Sequence, residues 1–198
     1  MKTIKTALVT GGASGLGYEF ALLLAKNSFQ LILIDIDSDQ LEIVKNELEQ
    51  NFQIKVHAIT KDLSLQNSAV ELFEEVKETP IDVLINNVGI YNSQSFFDTS
   101  DEQWNDQFQV NFMSGVHLSQ HYLQKMISKN WGRIIFISSE CAYLVPSDMI
   151  SYSATKAAMH ALSRGLAQIT KGTAVTVNVI VPGSTMSEGA KDFLANKA

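Results

Sequence analysis

Apolar positions along this chain switch repeatedly between two periods. Ile4 to Thr10 is a run suited to a buried strand, GGASGLG breaks it, and YEFALLLAK resumes at helical spacing with Phe20, Leu23 and Leu24 on one side. Gln30 to Asp35 (QLILID) is a second buried strand that ends in a carboxylate. Asp37 and Gln40 have capping-box spacing, and Leu41, Val44 and Leu48 follow at helical intervals. Gln53 to Thr60 alternates into a third strand, in which His57 has no acidic or nucleophilic neighbour in sequence and reads as structural. Ser64 predicts the cap of a helix whose Leu72, Phe73 and Val76 face a core, opposite a solvated Glu71, Glu74, Glu75 and Lys77. Ile81 to Ile85 predicts a fourth strand. Ser100 with Gln103 predicts another capping box, opening a long helix with Trp104, Phe108, Asn111, Leu118 and Tyr122 on its apolar side. Arg133 to Ile137 predicts a fifth strand, Ser151 to Thr170 a helix with small packing surfaces at Ala154, Ala157, Ala158 and Ala161, and Thr173 to Val181 a sixth strand closed by Pro182-Gly183.

Strand and helix alternate throughout, the pattern of a parallel sheet covered on both faces. Ligands of such sheets bind beyond the carboxyl ends of the strands. The polar motifs lie at those ends. Gly11, Gly15 and Gly17 let the backbone turn and approach an anion at the start of a helix, where N–H groups lack partners; a plain strand-to-helix turn is the competing reading. Asp35, about twenty residues beyond the glycines, stands where a ribose 2'-hydroxyl would arrive, or merely ends its strand. Its charge would repel a 2'-phosphate, and Ser14 supplies no basic group for one, so NAD is expected over NADP. Asn86-Asn87-Val88-Gly89 suits either a crevice or a turn. Asn111 places an amide on an apolar face, as a structural clamp or a site residue. Tyr152 and Lys156, four apart, share a helix face, where an ammonium can lower a phenol's pKa and Ser139 can bond the same substrate oxygen. Alone, that pair is weak evidence and most often a surface coincidence.

The length of 198 residues predicts one domain. A net charge of -6 argues against nucleic acid, whose binding rests on Lys and Arg. Cys141 is the sole cysteine, so no internal disulfide is possible; it reads as a small buried hydrophobe in a reducing, cytoplasmic compartment. No run of eighteen apolar residues predicts a membrane span, and no signal peptide is evident.

In order and spacing, Thr10-Gly11-x-x-x-Gly15-x-Gly17, Asp35, Asp62, Asn86-Asn87-x-Gly89, Asn111, Ser139, Tyr152-x-x-x-Lys156 and Pro182-Gly183 resemble the classical short-chain dehydrogenase/reductase family, up to about Thr185. The resemblance implies an α/β, Rossmann-type doubly wound parallel sheet with helices on both faces, and NAD(P)-dependent interconversion of an alcohol and a carbonyl. It implies that Tyr152 is the acid-base residue, that Lys156 lowers its pKa and holds the nicotinamide ribose, that Ser139 orients the substrate oxygen, and that Asn111 holds a water linking Lys156 to solvent. Gly11, Ser14, Gly15, Leu16 and Gly17 would hold the pyrophosphate and adenosine ribose. Asp35 and Ile36 would contact the ribose and adenine, Asp62 and Leu63 the adenine, Asn87 and Gly89 the cofactor's middle, and Pro182, Gly183 and Thr185 the nicotinamide end. No metal is implied. A homodimer or homotetramer through the helices around Ala157 and after Asp101 is expected.

Two departures from the family pattern stand out. Val88 replaces a usual alanine. Residues 184–198 read as a shortened substrate lid, leaving the family's last strand absent and the sixth strand an open edge. That shortening keeps a second reading open, a catalytically silent dinucleotide-binding protein. Tyr91, Phe96, Phe97, Tyr143 and Leu144 suggest an apolar substrate pocket, although loop aromatics also bury themselves for packing.

Overall fold

The computed structural model describes residues 4–65 and 67–184. Six strands, β1 (Thr6–Thr10), β2 (Gln30–Asp35), β3 (Val56–Thr60), β4 (Val83–Asn86), β5 (Gly132–Ile137) and β6 (Val175–Ile180), form one sheet in the order β3-β2-β1-β4-β5-β6. Every pairing is parallel. The helices between them are α1 (Gly15–Lys26), α2 (Ser38–Asn51), α3 (Ser68–Val76), α4 (Asp101–Phe108), α5 (Ser114–Ser128), α6 (Cys141–Leu144) and α7 (Ile150–Ile169). This is the doubly wound arrangement, with the chain reversing direction across the sheet between β1 and β4. Among the described residues no helix is long and apolar enough to cross a membrane. The proposed lid beyond Ser184, with the question of a further strand there, lies outside the described residues.

Alternate residues of each strand feed two cores. On one face Leu8, Ile32, Leu84, Ile134 and Phe136 pack with Leu72, Leu118, Tyr122 and Met159 of α3, α5 and α7. On the other, Ala7, Val9, Leu31, Leu33 and Ile85 pack with Ala21, Ala25, Leu41, Val44 and Leu48 of α1 and α2. The buried face of α1 is Gly17, Ala21 and Ala25, whereas Leu23 is largely exposed. Of the expected Phe20, Leu23 and Leu24 stripe, Phe20 and Leu24 pack half-buried against this core and Leu23 is exposed, while the fully buried face is made of small residues that let the helix lie close to the glycine turn.

Capping sets two helix starts as expected. The Asp37 carboxylate accepts from Gln40 N–H at 3.0 Å, and Ser100 with Gln103 makes a full capping box. α3 starts later than Ser64 predicts, after Asn67, while Ser64 N–H donates to Asp62 in the preceding turn. In space, though not in sequence, His57 has an acidic neighbour: its Nε2 lies 3.8 Å from Glu75 on the solvent side. The long fourth helix is interrupted by a π-helical turn, Gln109–Met113, that separates α4 from α5.

Candidate active site

Because all strands run the same way, Thr10, Asp35, Asn86 and Ile137 end at one edge of the sheet. The turn after β1 leaves no room for side chains. Gly11 has a φ of +64°, and a Cβ on Gly17 would sit 1.7 Å from the Gly11 carbonyl oxygen. Ser14 is the N-cap of α1, yet its hydroxyl makes no capping bond, so the first N–H groups of the helix, from Gly15 to Gly17, are available to an anion. Asn87 braces this turn from β4: its Nδ2 donates to the carbonyls of Thr10 (3.0 Å) and Gly11 (3.1 Å). Thr10 Oγ1 in return accepts from the N–H groups of Asn87 and Val88 at 3.0 and 3.1 Å. The amide expected to face a cofactor thus holds the cradle in shape.

Beside the turn, a cavity of about 320 Å³ is lined by Gly11, Asp35, Ile36, Asp62, Leu63 and Val88, among others. Asp35 Oδ2 accepts from Ala13 N–H at 2.9 Å, and Oδ1 from Ile36 and Asp37 N–H at 2.8 and 3.3 Å. A carboxylate has about four acceptor positions, so one remains for a ribose hydroxyl. Lys61 also borders the cavity, but its ammonium is paired with Glu71 at 3.1 Å. Glycine cradle, free helix N-terminus and acid-lined cavity fit a dinucleotide.

At the other half of the edge, the Tyr152 and Ser139 hydroxyls are hydrogen-bonded. Burial pushes the phenol up to about 12, opposed by the Ser139 bond, which lowers it. The expected lowering by Lys156 is not found. Lys156 Nζ lies 5.5 Å from the centre of the Tyr152 ring and donates to the Ile137 carbonyl at 2.9 Å. It is 3% exposed, and burial pulls it down to about 8. At neutral pH the phenol keeps its proton, ready to be given to a carbonyl oxygen.

Asn111 sits within the π turn, 2% exposed. Its Oδ1 accepts from Ile90 N–H at 2.7 Å, and its Nδ2 donates to the Ile90 carbonyl and to Thr155 Oγ1 at 2.9 and 3.1 Å. Thr155 Oγ1 donates to the Tyr152 carbonyl at 2.7 Å, so Asn111 ties the β4 loop to the helix bearing Tyr152 and Lys156. Gly89 is the point of closest approach: a Cβ there would lie 3.2 Å from Lys156 Nζ and 3.4 Å from Asn111 Oδ1. Glu140 N–H donates to the Pro182 carbonyl at 3.0 Å, bringing Pro182 and Gly183 beside the loop that carries Ser139. Thr185 lies outside the described residues.

Tyr91 packs edge-on against Tyr152 with ring centres 5.8 Å apart. Phe96, Phe97, Tyr143 and Leu144 are exposed, with Phe96 edge-on against Phe97 and Trp104 and Tyr143 edge-on against His160. Cys141 is half-buried rather than fully buried, and its N–H donates to Ser139 Oγ at 3.2 Å. Sequence reasoning missed Thr155, the Ile137 carbonyl and Glu140, whose parts depend on spatial neighbours and leave no trace in spacing.

The short chain dehydrogenase family model matches residues 5–198. The chain is 40% identical over 191 residues to the uncharacterized oxidoreductase YvaG of Bacillus subtilis (strain 168), covering 96% of this chain and 72% of that protein. It is 33% identical over 181 residues to the 3-oxoacyl-[acyl-carrier-protein] reductase FabG of Buchnera aphidicola subsp. Schizaphis graminum (strain Sg), covering 90% and 72% of the two chains. The crystal structure of a 3-oxoacyl (acyl-carrier-protein) reductase from Agrobacterium tumefaciens C58 with NADP bound superposes with a TM-score of 0.91 at 28% identity, over 97% of this chain and 74% of that one.

Proposed function

The chain belongs to the short-chain dehydrogenase family, and on that premise we propose that it is an NAD-dependent oxidoreductase interconverting an alcohol and a carbonyl. The observation that carries this reading is the meeting of Ser139, Tyr152 and Lys156 at the strand ends, beside a glycine cradle that fits a dinucleotide. The bound nicotinamide would supply the hydride acceptor in oxidation and the donor in reduction. Ser139 and Tyr152 hydroxyls bond the substrate oxygen and orient it. Tyr152 gives that oxygen its proton in reduction and takes it back in oxidation. Lys156, desolvated between Tyr152 and the Ile137 carbonyl, holds the nicotinamide ribose. Asn111 fixes the backbone at Ile90 and supports the water that links Lys156 to solvent.

Gly11, Ser14, Gly15, Leu16 and Gly17 take the pyrophosphate and adenosine ribose, Asp35 and Ile36 the ribose and adenine, and Asp62 and Leu63 the adenine. Asn87 and Gly89 line the middle of the cofactor; Pro182, Gly183 and Thr185 face its nicotinamide end. NAD is preferred because Asp35 presents a negative charge and Lys61 is engaged by Glu71. The substrate is a small or medium alcohol or carbonyl whose apolar part meets Tyr91, Phe97 and Leu144.

A panel of alcohols with NAD, and of carbonyls with NADH, followed by NADH absorbance tests this reading. Turnover of at least one class is expected; NAD binding without turnover across a broad panel would leave only the silent dinucleotide-binding protein. A homodimer or homotetramer is supported by an apolar groove of about 380 Å³ between α5 and α7, lined by Val116, Leu123, Ile127, Leu162, Leu166 and Ile169. A monomer by light scattering at micromolar concentration would contradict the assembly.

A further inference from the structure

His160 lies two turns beyond Tyr152 on α7, outside the set of residues given a role above. Its Nε2 is 2.9 Å from Ser138 Oγ and its Nδ1 is 3.1 Å from the Tyr143 hydroxyl. Ser138 Oγ donates its one hydrogen to the Lys156 carbonyl at 3.0 Å, so His160 must donate to Ser138 through Nε2–H. Nδ1 of the neutral ring is then the acceptor for the Tyr143 hydroxyl. The chain of bonds runs Tyr143, His160, Ser138, Lys156, and both of its inner contacts adjoin the proposed chemistry: Ser138 precedes Ser139, and the accepting carbonyl belongs to Lys156.

Tyr143 belongs to α6, the short turn that follows Ser139, and its side chain is otherwise largely exposed. Its ring also meets that of His160 edge-on, with centres 5.1 Å apart. Two residues on, Val145 has φ +35° and ψ +79°, a left-handed conformation that a β-branched residue avoids. Further along, the Asp148 carbonyl accepts from Gln94 N–H at 2.8 Å, and its carboxylate accepts from Ser93 Oγ. The strained residue therefore lies between two anchors, Tyr143 on His160 and Asp148 on Ser93 and Gln94. Such a conformation persists only where its surroundings hold it.

We propose that His160 is a positioning residue that pins the 141–145 turn to the catalytic helix through Tyr143, and couples that turn through Ser138 to the strand end bearing Ser139. Its effect on the reaction rests on the dehydrogenase reading; the anchoring itself does not. The turn directly follows Ser139, so in the dehydrogenase reading the anchor fixes where a substrate's far end lies.

Tyr143→Phe removes the hydroxyl and keeps the ring contact, and His160→Phe keeps a ring while deleting both hydrogen bonds. In amide hydrogen exchange, each variant is expected to speed exchange at Tyr143, Leu144 and Val145 about five-fold, as loss of one ordinary hydrogen bond would. The double variant is expected to do no more than either single one, and the amides of β1 and β4 to stay unchanged. Imidazole nitrogen shifts of the wild-type protein should report the tautomer with hydrogen on Nε2. Unchanged exchange in the turn, additive effects, or hydrogen on Nδ1 would overturn the anchor. With a substrate in hand, Tyr143→Phe should raise KM several-fold more than it lowers kcat, and an equal fall in kcat alone would overturn the coupling to substrate placement. Wild-type protein that shows the exchange pattern but no turnover would sink the dehydrogenase reading and leave the anchor standing.

Discussion

Lys156 carries an ammonium into a site that is 3% exposed and offers Nζ the Ile137 carbonyl at 2.9 Å. Burial pulls its pKa from the ordinary 10.5 to about 8, so the charged form is less favourable in the folded chain than in the unfolded one. At about 1.36 kcal/mol per pKa unit, this costs the fold about 3 kcal/mol at pH 7. Below pH 8 both states hold the proton and the cost is complete. Between pH 8 and 10.5 the unfolded chain binds a proton that the folded one has released, so stability from this group rises with pH until the cost is gone. Lys156→Met keeps the length of the side chain and removes the charge. Its repacking and the bond it denies to Ile137 are the same at every pH, so they cancel when two pH values are compared. The advantage of the variant over wild type in urea unfolding should therefore shrink by about 3 kcal/mol from pH 7 to pH 10.5. A difference between the two proteins that is constant with pH, or grows with it, would refute the reasoning that Lys156 is held against its preference for water.

Gly17→Ala would place a methyl 1.7 Å from the Gly11 carbonyl oxygen; it should destabilise the fold by about 2 kcal/mol or more and abolish the fluorescence enhancement of bound NADH. Unchanged melting and NADH binding would show that the cradle is not as tight as described. Asn111→Ala removes the partners of the Ile90 N–H and carbonyl, and should lower urea stability by about 2 kcal/mol while leaving helical circular dichroism intact. Asp35→Asn keeps an oxygen for Ala13 N–H and removes the charge. The ratio of NADH to NADPH affinities should move toward NADPH by about ten-fold or more, equivalent to about 1.4 kcal/mol, and an unchanged ratio would remove the carboxylate from cofactor choice.

The parallel sheet was legible because its strands are buried on both faces. QLILID can be little else, and β2 occupies Gln30–Asp35 as read. Glycines, Asp35 and the Tyr152/Lys156 pair were legible because each has a spacing tied to local geometry. α1 was read only in part: Phe20 and Leu24 pack against the core as expected, but periodicity ranks residues by hydrophobicity, while the sheet selected Gly17, Ala21 and Ala25 by size for the fully buried face. The π turn at Gln109–Met113 leaves no mark, since inserting one residue into a helix shifts the register without requiring any residue type. Asn111 was marked as a clamp or a site residue, but its partner Ile90 is twenty-one positions away and only the folded chain joins them. The pull of Lys156 on the Tyr152 phenol was expected from their four-residue separation. In the structure Nζ turns to Ile137, and burial dominates the phenol. α6 is a single turn too short to carry a period, and so Tyr143 and His160 were not connected.

The most direct measurement compares wild-type protein with Tyr152→Phe in NADH turnover on a responding substrate, with NADH affinity measured for both. Loss of the hydroxyl should leave NADH binding unchanged and lower turnover by about a hundred-fold or more, the scale of a proton transfer withdrawn. Turnover retained by the phenylalanine variant, with the cofactor bound as before, would contradict a proton passing through Tyr152.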